Sequence, residues 1–276
     1  MNGLLQRTLT SLRQLRLKPE KRKGQHFAID ETLLQSIVKA SYISTEDVVL
    51  EIGGGLGTLS EQILAEKPRR FIVVEKDPRL AEFLRRKFSG PSNVQIMAGD
   101  YLRIGPLEYD KCVSNPPFNI SSKIVLKLIH ERPSIAVLTF QEQFAKRLLA
   151  RAGTRHYGRL SVIAQLIFHV EELAIFSKTS FYPAPKTGVS ALTFRPIEPK
   201  LEDSEIRHLE DLTRELFKYR RKKFGKALRL ARLDSLFKGS DLGQKLLETR
   251  VFQIEPGDLN RLAKQMPYLL SETHHH

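Results

Sequence analysis

The chain has 276 residues and carries 45 Lys and Arg against 31 Asp and Glu, a formal net charge of +14. Cys112 is the single cysteine, which excludes a disulfide within the monomer and a cysteine-rich zinc site. No run of about 18 apolar residues occurs, so no transmembrane helix is expected, and no H-E-x-x-H or similar metal spacing is present.

The excess charge is localised. Residues 1–23 hold seven basic residues and one acid, residues 214–232 hold nine and one, and the remainder is balanced. Two confined basic patches suit a polyanion such as nucleic acid. In the first, Leu5, Leu9 and Leu12 recur at helical spacing beside Arg7, Arg13 and Arg16. Such a segment reads as an organelle transit peptide or as a basic helix that packs on the domain or touches RNA, and the second reading is favoured.

Val48-Val49-Leu50-Glu51-Ile52 predicts a buried parallel strand, followed by Gly53-Gly54-Gly55-Leu56-Gly57-Thr58 and a helix bearing Leu59, Ile63 and Leu64. Gly53, Gly55 and Gly57 let a ligand approach bare backbone. Thr58 stands where the dinucleotide fingerprint needs its last glycine, and no G-x-x-x-x-G-K-[ST] phosphate loop occurs. A nucleoside ligand lacking a pyrophosphate is therefore expected, with S-adenosylmethionine as the candidate.

Phe71-Ile72-Val73-Val74 predicts a second strand ending on Glu75, placed where an acid grips ribose hydroxyls. Val94-Gln95-Ile96-Met97 leads to Asp100, whose carboxylate suits the adenine amine of the same ligand. Lys111-Cys112-Val113-Ser114 delivers Asn115-Pro116-Pro117-Phe118. These polar groups all follow apolar strands, at the carboxyl edge where open α/β sheets bind ligands. The Asn115 side-chain carbonyl and the Pro116 backbone carbonyl can each accept one N–H of an aromatic amine, turning its lone pair toward a methyl donor. Phe118 offers a ring on which an unstacked base can lie, and the two prolines stiffen the turn.

After a fifth strand, Lys146, Arg147, Arg151, Arg155 and Arg159 form an acid-free cluster expected at the edge of a substrate channel. Ile167 to Phe176 and Val189 to Phe194 are expected as an antiparallel pair that completes a seven-stranded, mostly parallel, Rossmann-like α/β sheet. A boundary is expected at Arg195-Pro196-Ile197-Glu198-Pro199, beyond which helical patterns dominate. There Phe217, Phe224 and Leu228 recur near heptad spacing, predicting one helix that buries them and turns Lys218, Arg220, Arg221, Lys222 and Lys223 outward, as a solvated face or an RNA clamp.

The chain resembles the small-subunit ribosomal RNA adenine N6,N6-dimethyltransferases, a class I S-adenosylmethionine-dependent family, from about Lys23 to about Ile254. Lys23-Gly24-Gln25-His26-Phe27-Ala28-Ile29-Asp30 is similar to the family's opening motif, and residues 49–57 to its glycine loop. Gln141-Glu142-Gln143-Phe144-Ala145-Lys146-Arg147, Tyr157-Gly158-Arg159-Leu160-Ser161-Val162 and Phe181-Tyr182-Pro183-Ala184-Pro185-Lys186 resemble later blocks that are more specific. With the basic segment as an extension (1–22) and the terminal histidines read as a tag remnant (274–276), the resemblance implies a methyltransferase domain (23–195) and a small all-helical RNA-binding domain (196–273). It also implies cofactor contacts from Gln25, His26, Ala28, Gly53, Gly55, Glu75, Asp100 and Asn115, and a catalytic group of Asn115, Pro116 and Phe118. RNA contacts fall on Arg147, Lys186, Arg220, Arg221, Lys222 and Lys223. S-adenosylmethionine is then the methyl donor, with no metal, and small-subunit ribosomal RNA or a pre-30S particle the partner of a cytoplasmic monomer involved in ribosome biogenesis.

Some positions depart from the family pattern. Pro116 and Phe118 stand where the family has Asn-Leu-Pro-Tyr or Asn-Ile-Pro-Tyr, Ala28 replaces a leucine, Gly54 a proline, and Thr187-Gly188-Val189 is one residue longer. Phe118 keeps a stacking face without a hydroxyl, which leaves one or two methyl transfers open. Asn-Pro-Pro-Phe is shared with DNA adenine methyltransferases, so that activity stays as an alternative, as does a non-catalytic ribosome-assembly or transcription factor on the same fold.

Overall fold

The computed structural model describes residues 3–20 and 24–266; Lys21 to Lys23, and the tag-like His274 to His276, lie outside them. The chain divides into two compact units, residues 1–145 with 170–196, and residues 146–169 with 197–276. The sequence expects residues 146–169 to remain with the sheet, and the structure groups them with the C-terminal helices instead. The reason lies in hydrogen bonds to the backbone of residues 252–254. Gly153 N–H donates to Phe252 O at 2.7 Å, and the Tyr157 hydroxyl donates to Ile254 O at 2.9 Å.

The strands are β1 (Phe27–Ala28), β2 (Val48–Ile52), β3 (Arg70–Glu75), β4 (Val94–Ala98), β5 (Lys111–Ser114), β6 (Ile135–Gln141), β7 (Phe168–Phe176), β8 (Phe181–Tyr182) and β9 (Val189–Pro196). Among the described residues the main sheet has seven strands in the order β4-β3-β2-β5-β6-β9-β7. β2 to β6 pair in parallel, and β9 runs antiparallel to β6. All five residues of β2 are buried, as parallel strands covered on both faces require. β1 and β8 form a separate antiparallel pair.

The first unit's helices are α1 (Gly3–Gln14), α2 (Glu31–Ala40), α3 (Thr58–Ala65), α4 (Pro78–Lys87) and α5 (Ser121–Glu131). α4 shows why such a sequence turns helical at that point: the Asp77 side chain accepts Arg79 N–H, Pro78 occupies the first turn, and Leu80, Ala81 and Leu84 recur on one buried stripe. α1 forms where Leu5, Leu9 and Leu12 recur at helical spacing; its buried side chains are Leu4, Thr8 and Leu12, and Leu5 packs partly buried against the core. Leu4 joins the main core, while Leu12 and Leu17 pack with Phe27, Leu56 and Leu80. The basic segment is thus a helix seated on the sheet unit.

α6 (Glu142–Leu148) follows β6, and α7 (Arg159–Ile167), α8 (Asp203–Leu216), α9 (Phe224–Ala231), α10 (Asp241–Leu246) and α11 (Pro256–Ala263) build the second unit. The single helix predicted from Phe217 to Leu228 does not form. α8 ends at Leu216, a 3-10 turn covers Phe217–Tyr219, and α9 begins at Phe224. The intervening backbone bonds sideways: Phe252 N–H reaches Arg220 O at 2.9 Å, Val251 N–H reaches Lys222 O at 3.1 Å, and Phe224 N–H reaches Thr249 O at 2.8 Å. Those groups are satisfied outside a helical ladder, so nothing favours continuing it.

Candidate functional site

A cavity of about 350 Å³, within the usual range of small-molecule sites, lies at the carboxyl ends of β2, β3, β4 and β5. Glu75, Asp100 and Asn115 line it together, with Gln25, His26, Ala28, Gly53 and Gly55. Pro116 is buried beside it and Phe118 is half-buried; neither lines the cavity.

The glycine loop brings bare backbone to this cavity. Gly53, Gly55 and Gly57 have φ of +81°, +54° and +75°, a region that side-chain-bearing residues seldom adopt. A Cβ on Gly55 would stand 3.1 Å from the Phe27 ring. Gly55 N–H instead donates to Glu75 Oε2 at 2.9 Å, and Asp77 N–H donates to Oε1 at 2.8 Å. Two backbone donors therefore aim the Glu75 carboxylate, although burial pushes its pKa up.

The remaining acids differ sharply. Asp100 accepts from Lys76 Nζ at 2.8 Å and from Leu102 N–H at 3.1 Å, and the lysine bond holds its carboxyl below the usual range. Glu51 is 2% exposed and is bonded by Ser60 Oγ at 2.5 Å. Burial pushes its pKa up to about 8, which keeps it protonated near neutrality. Beside neutral Glu51, the acids Glu75, Asp77 and Asp100 line the cavity with Lys76 as the counterweight. Such a lining suits a cationic nucleoside and opposes a pyrophosphate, so S-adenosylmethionine fits the residues present.

Asn115 is held at both ends of its amide. Its Nδ2 donates to His26 O at 2.8 Å, and Thr139 Oγ1 donates to its Oδ1 at 2.5 Å. Oδ1 keeps a second lone pair for another donor. Beside it the His26 ring stacks on Phe118 with centroids 5.4 Å apart, and Phe118 meets Phe181 edge-on at 6.1 Å. His26 Nδ1 lies 2.5 Å from Pro183 O, which requires a proton on Nδ1 because the carbonyl can only accept. β1 and β8 place Phe27 opposite Tyr182 and Ala28 opposite Phe181. The two motifs near residues 24–30 and 181–186 thus meet, the first of them lining the cavity.

Two participants escaped the sequence reading. Glu51 carried a signal, being an acid inside an apolar run predicted to be buried. Thr139 carried none, because nothing in its spacing points to Asn115. Cys112 is a fully buried free thiol whose pKa burial raises, consistent with a core side chain.

The nucleic-acid candidates separate by environment. Lys186 and Arg147 are exposed. Arg220 is not available in the same way: its Nη2 donates to the carbonyls of Thr154, Arg155 and Tyr157, the last at 2.8 Å, and its guanidinium lies 5.5 Å from the Phe252 ring centroid. Arg221, Lys222 and Lys223 line an open groove of about 930 Å³ in the second unit, joined by Lys226, Arg229 and Arg250 over Leu228, Phe237 and Leu247. Lys223 also pairs with Glu248. Among the described residues no helix is long and apolar enough to cross a membrane.

Comparison with known proteins identifies the family. A "Probable ribosomal RNA small subunit methyltransferase A" of Methanothermobacter thermautotrophicus is 35% identical over 272 residues, covering 96% of this chain and 97% of the relative. A protein of the same description from Thermococcus onnurineus is 37% identical over 247 residues, covering 87% and 89%. Among solved structures, a dimethyladenosine transferase from Plasmodium falciparum superposes with a TM-score of 0.76 at 27% identity, over 86% of this chain and 96% of that one. The 23S rRNA methyltransferase ErmE shares the fold, with a TM-score of 0.64 at 24% identity, over 87% and 99%. The family model described as "Ribosomal RNA adenine dimethylase" matches residues 16–253, and with strand tips, glycine loop and Asn115 arranged as above, the chain belongs to that family.

Proposed function

We propose that this protein transfers methyl groups from S-adenosylmethionine to the N6 amines of adjacent adenines near the 3′ end of small-subunit ribosomal RNA, as a cytoplasmic monomer acting during subunit maturation. The observation that carries this reading is the single cavity shared by Glu75, Asp100 and Asn115, lined by acids and by a loop of left-handed glycines. S-adenosylmethionine supplies an electrophilic methyl on a positively charged sulfur. Glu75 would hold the ribose hydroxyls and Asp100 the adenine amine. Asn115 Oδ1 and the Pro116 carbonyl would take the two N–H groups of the target amine and leave its lone pair facing the cavity. Phe118, braced by His26 and Phe181, would support the unstacked base. The groove around Arg221, Lys222 and Lys223, with Arg147 and Lys186, would bind phosphates, while Arg220 serves the local architecture.

The test is incubation with S-adenosylmethionine and either undermethylated small-subunit particles or duplex DNA, followed by mass spectrometry of the digested nucleosides. N6,N6-dimethyladenosine in the particles is the expected product. Methylation confined to DNA would establish the other adenine methyltransferase activity. Absence of both products and of calorimetric S-adenosylmethionine binding would establish a non-catalytic factor.

A further inference from the structure

Asn115 follows β5 directly, and Thr139 lies on the neighbouring strand β6. The parallel register pairs Ser114 with Leu138, so the next residues along, Asn115 and Thr139, share one face of the sheet. Thr139 is fully buried. A buried hydroxyl usually has a hydrogen-bond partner, yet the hydroxyls of Ser190 and Thr193 on β9 find none. Thr139 does, and its partner is the amide of Asn115.

The two contacts on that amide divide the work. The His26 carbonyl can only accept, so Nδ2 must face it; a flipped amide would set two acceptors against each other. One anchor still leaves the amide free to rock about it. The Thr139 hydroxyl supplies the second anchor, from a β-branched side chain whose χ1 is restricted in a strand. With Nδ2 and one Oδ1 lone pair committed, a single acceptor direction remains.

We infer that Thr139 is a positioning residue for methyl transfer: its hydroxyl, acting with the His26 carbonyl, sets the direction in which Asn115 Oδ1 meets the target amine. This rests on the proposed role of Asn115 as the group that orients the amine.

The test compares wild type, T139V, T139S, N115A and the N115A/T139V double variant on undermethylated small-subunit particles, with S-adenosylmethionine affinity measured by calorimetry. Valine keeps the shape of threonine without the hydroxyl, and T139A provides a second hydroxyl-free variant should valine disturb packing. T139V is expected to lower kcat about tenfold, the scale of one lost hydrogen bond, with cofactor Kd and the KM for particles unchanged. T139S should recover most of that loss, and T139V should add nothing in the N115A background. Wild-type or faster turnover in T139V, failure of T139S to recover, or a further loss in the double variant would overturn the role of Thr139 while leaving that of Asn115 intact. Normal turnover in N115A would overturn both.

Discussion

Asn115 Nδ2 donates to the carbonyl oxygen of His26 at 2.8 Å, across 89 residues of sequence. The bond ties the amide to the segment that also supplies Phe27 against the glycine loop. On the proposed reading, Asn115→Ala removes the acceptor that orients the target amine and leaves Glu75 and Asp100, the carboxylates proposed to hold the cofactor, in place. Turnover should fall by roughly 100- to 1,000-fold, the usual effect of losing one preorganised polar contact at the transition state. Calorimetry should find S-adenosylmethionine affinity within about threefold of wild type; an equal fall in both would remove Asn115 from the chemical step.

The Glu51 carboxyl makes stability depend on pH in a defined direction. Its pKa rises from about 4.5 to about 8 in the folded protein. Between those values the folded state holds a proton that the unfolded chain has released, so stability falls as pH rises through that window and levels off above it. Glu51→Gln cannot ionise. Denaturant titrations at pH 5, 6, 7, 8 and 9 should show the variant gaining on wild type by up to about 1.4 kcal/mol per pH unit until pH 8, then holding a constant difference. Parallel curves for the two proteins would show that Glu51 does not carry the shift.

The same group should link cofactor binding to protons. A cation entering the cavity favours the ionised form of Glu51, so binding releases a proton and tightens as pH rises toward 8. Titrations in buffers of different ionisation enthalpy should reveal that release in wild type and its loss in Glu51→Gln. An identical proton count in both would exclude Glu51 as the source.

In the second unit, neighbouring cations should behave oppositely. Arg220→Ala strands three carbonyls of residues 154–157, so it should lower the thermal midpoint by several degrees, a cost of about 1 to 3 kcal/mol. Lys222→Ala with Arg221→Ala should leave the midpoint nearly unchanged, weaken RNA binding, and flatten its dependence on salt by one to two ions. Scanning calorimetry and filter binding at several salt concentrations separate the two. A salt slope unchanged in the double variant would remove this groove from the phosphate path.

The sheet was legible because β2, β3 and β4 are short, mostly apolar runs bounded by turn residues, and Cys112 and Val113 give β5 a shorter apolar stretch. The cavity was legible because its polar groups follow those runs. What stayed hidden depended on contacts between distant segments. Arg220 looked like its basic neighbours until the carbonyls of residues 154–157 appeared around it. The break after Leu216 was invisible because helical spacing does not report the sideways bonds to residues 249–252. In α1 the helical period was legible, but which leucines would be fully covered was not, since Leu4 and Leu5 are equivalent until a core selects one.

Residues 146–169 leave the first unit, contribute α7 beside α8 and α11, and return the chain to β7. The second unit is therefore assembled from pieces on either side of a sheet hairpin and cannot be transplanted as one contiguous cassette. A truncation after Pro196 would strip α7 of both partners and expose the apolar side chains that they cover. During synthesis α7 emerges long before α11, so it must wait for nearly the whole polypeptide before its own neighbourhood can close.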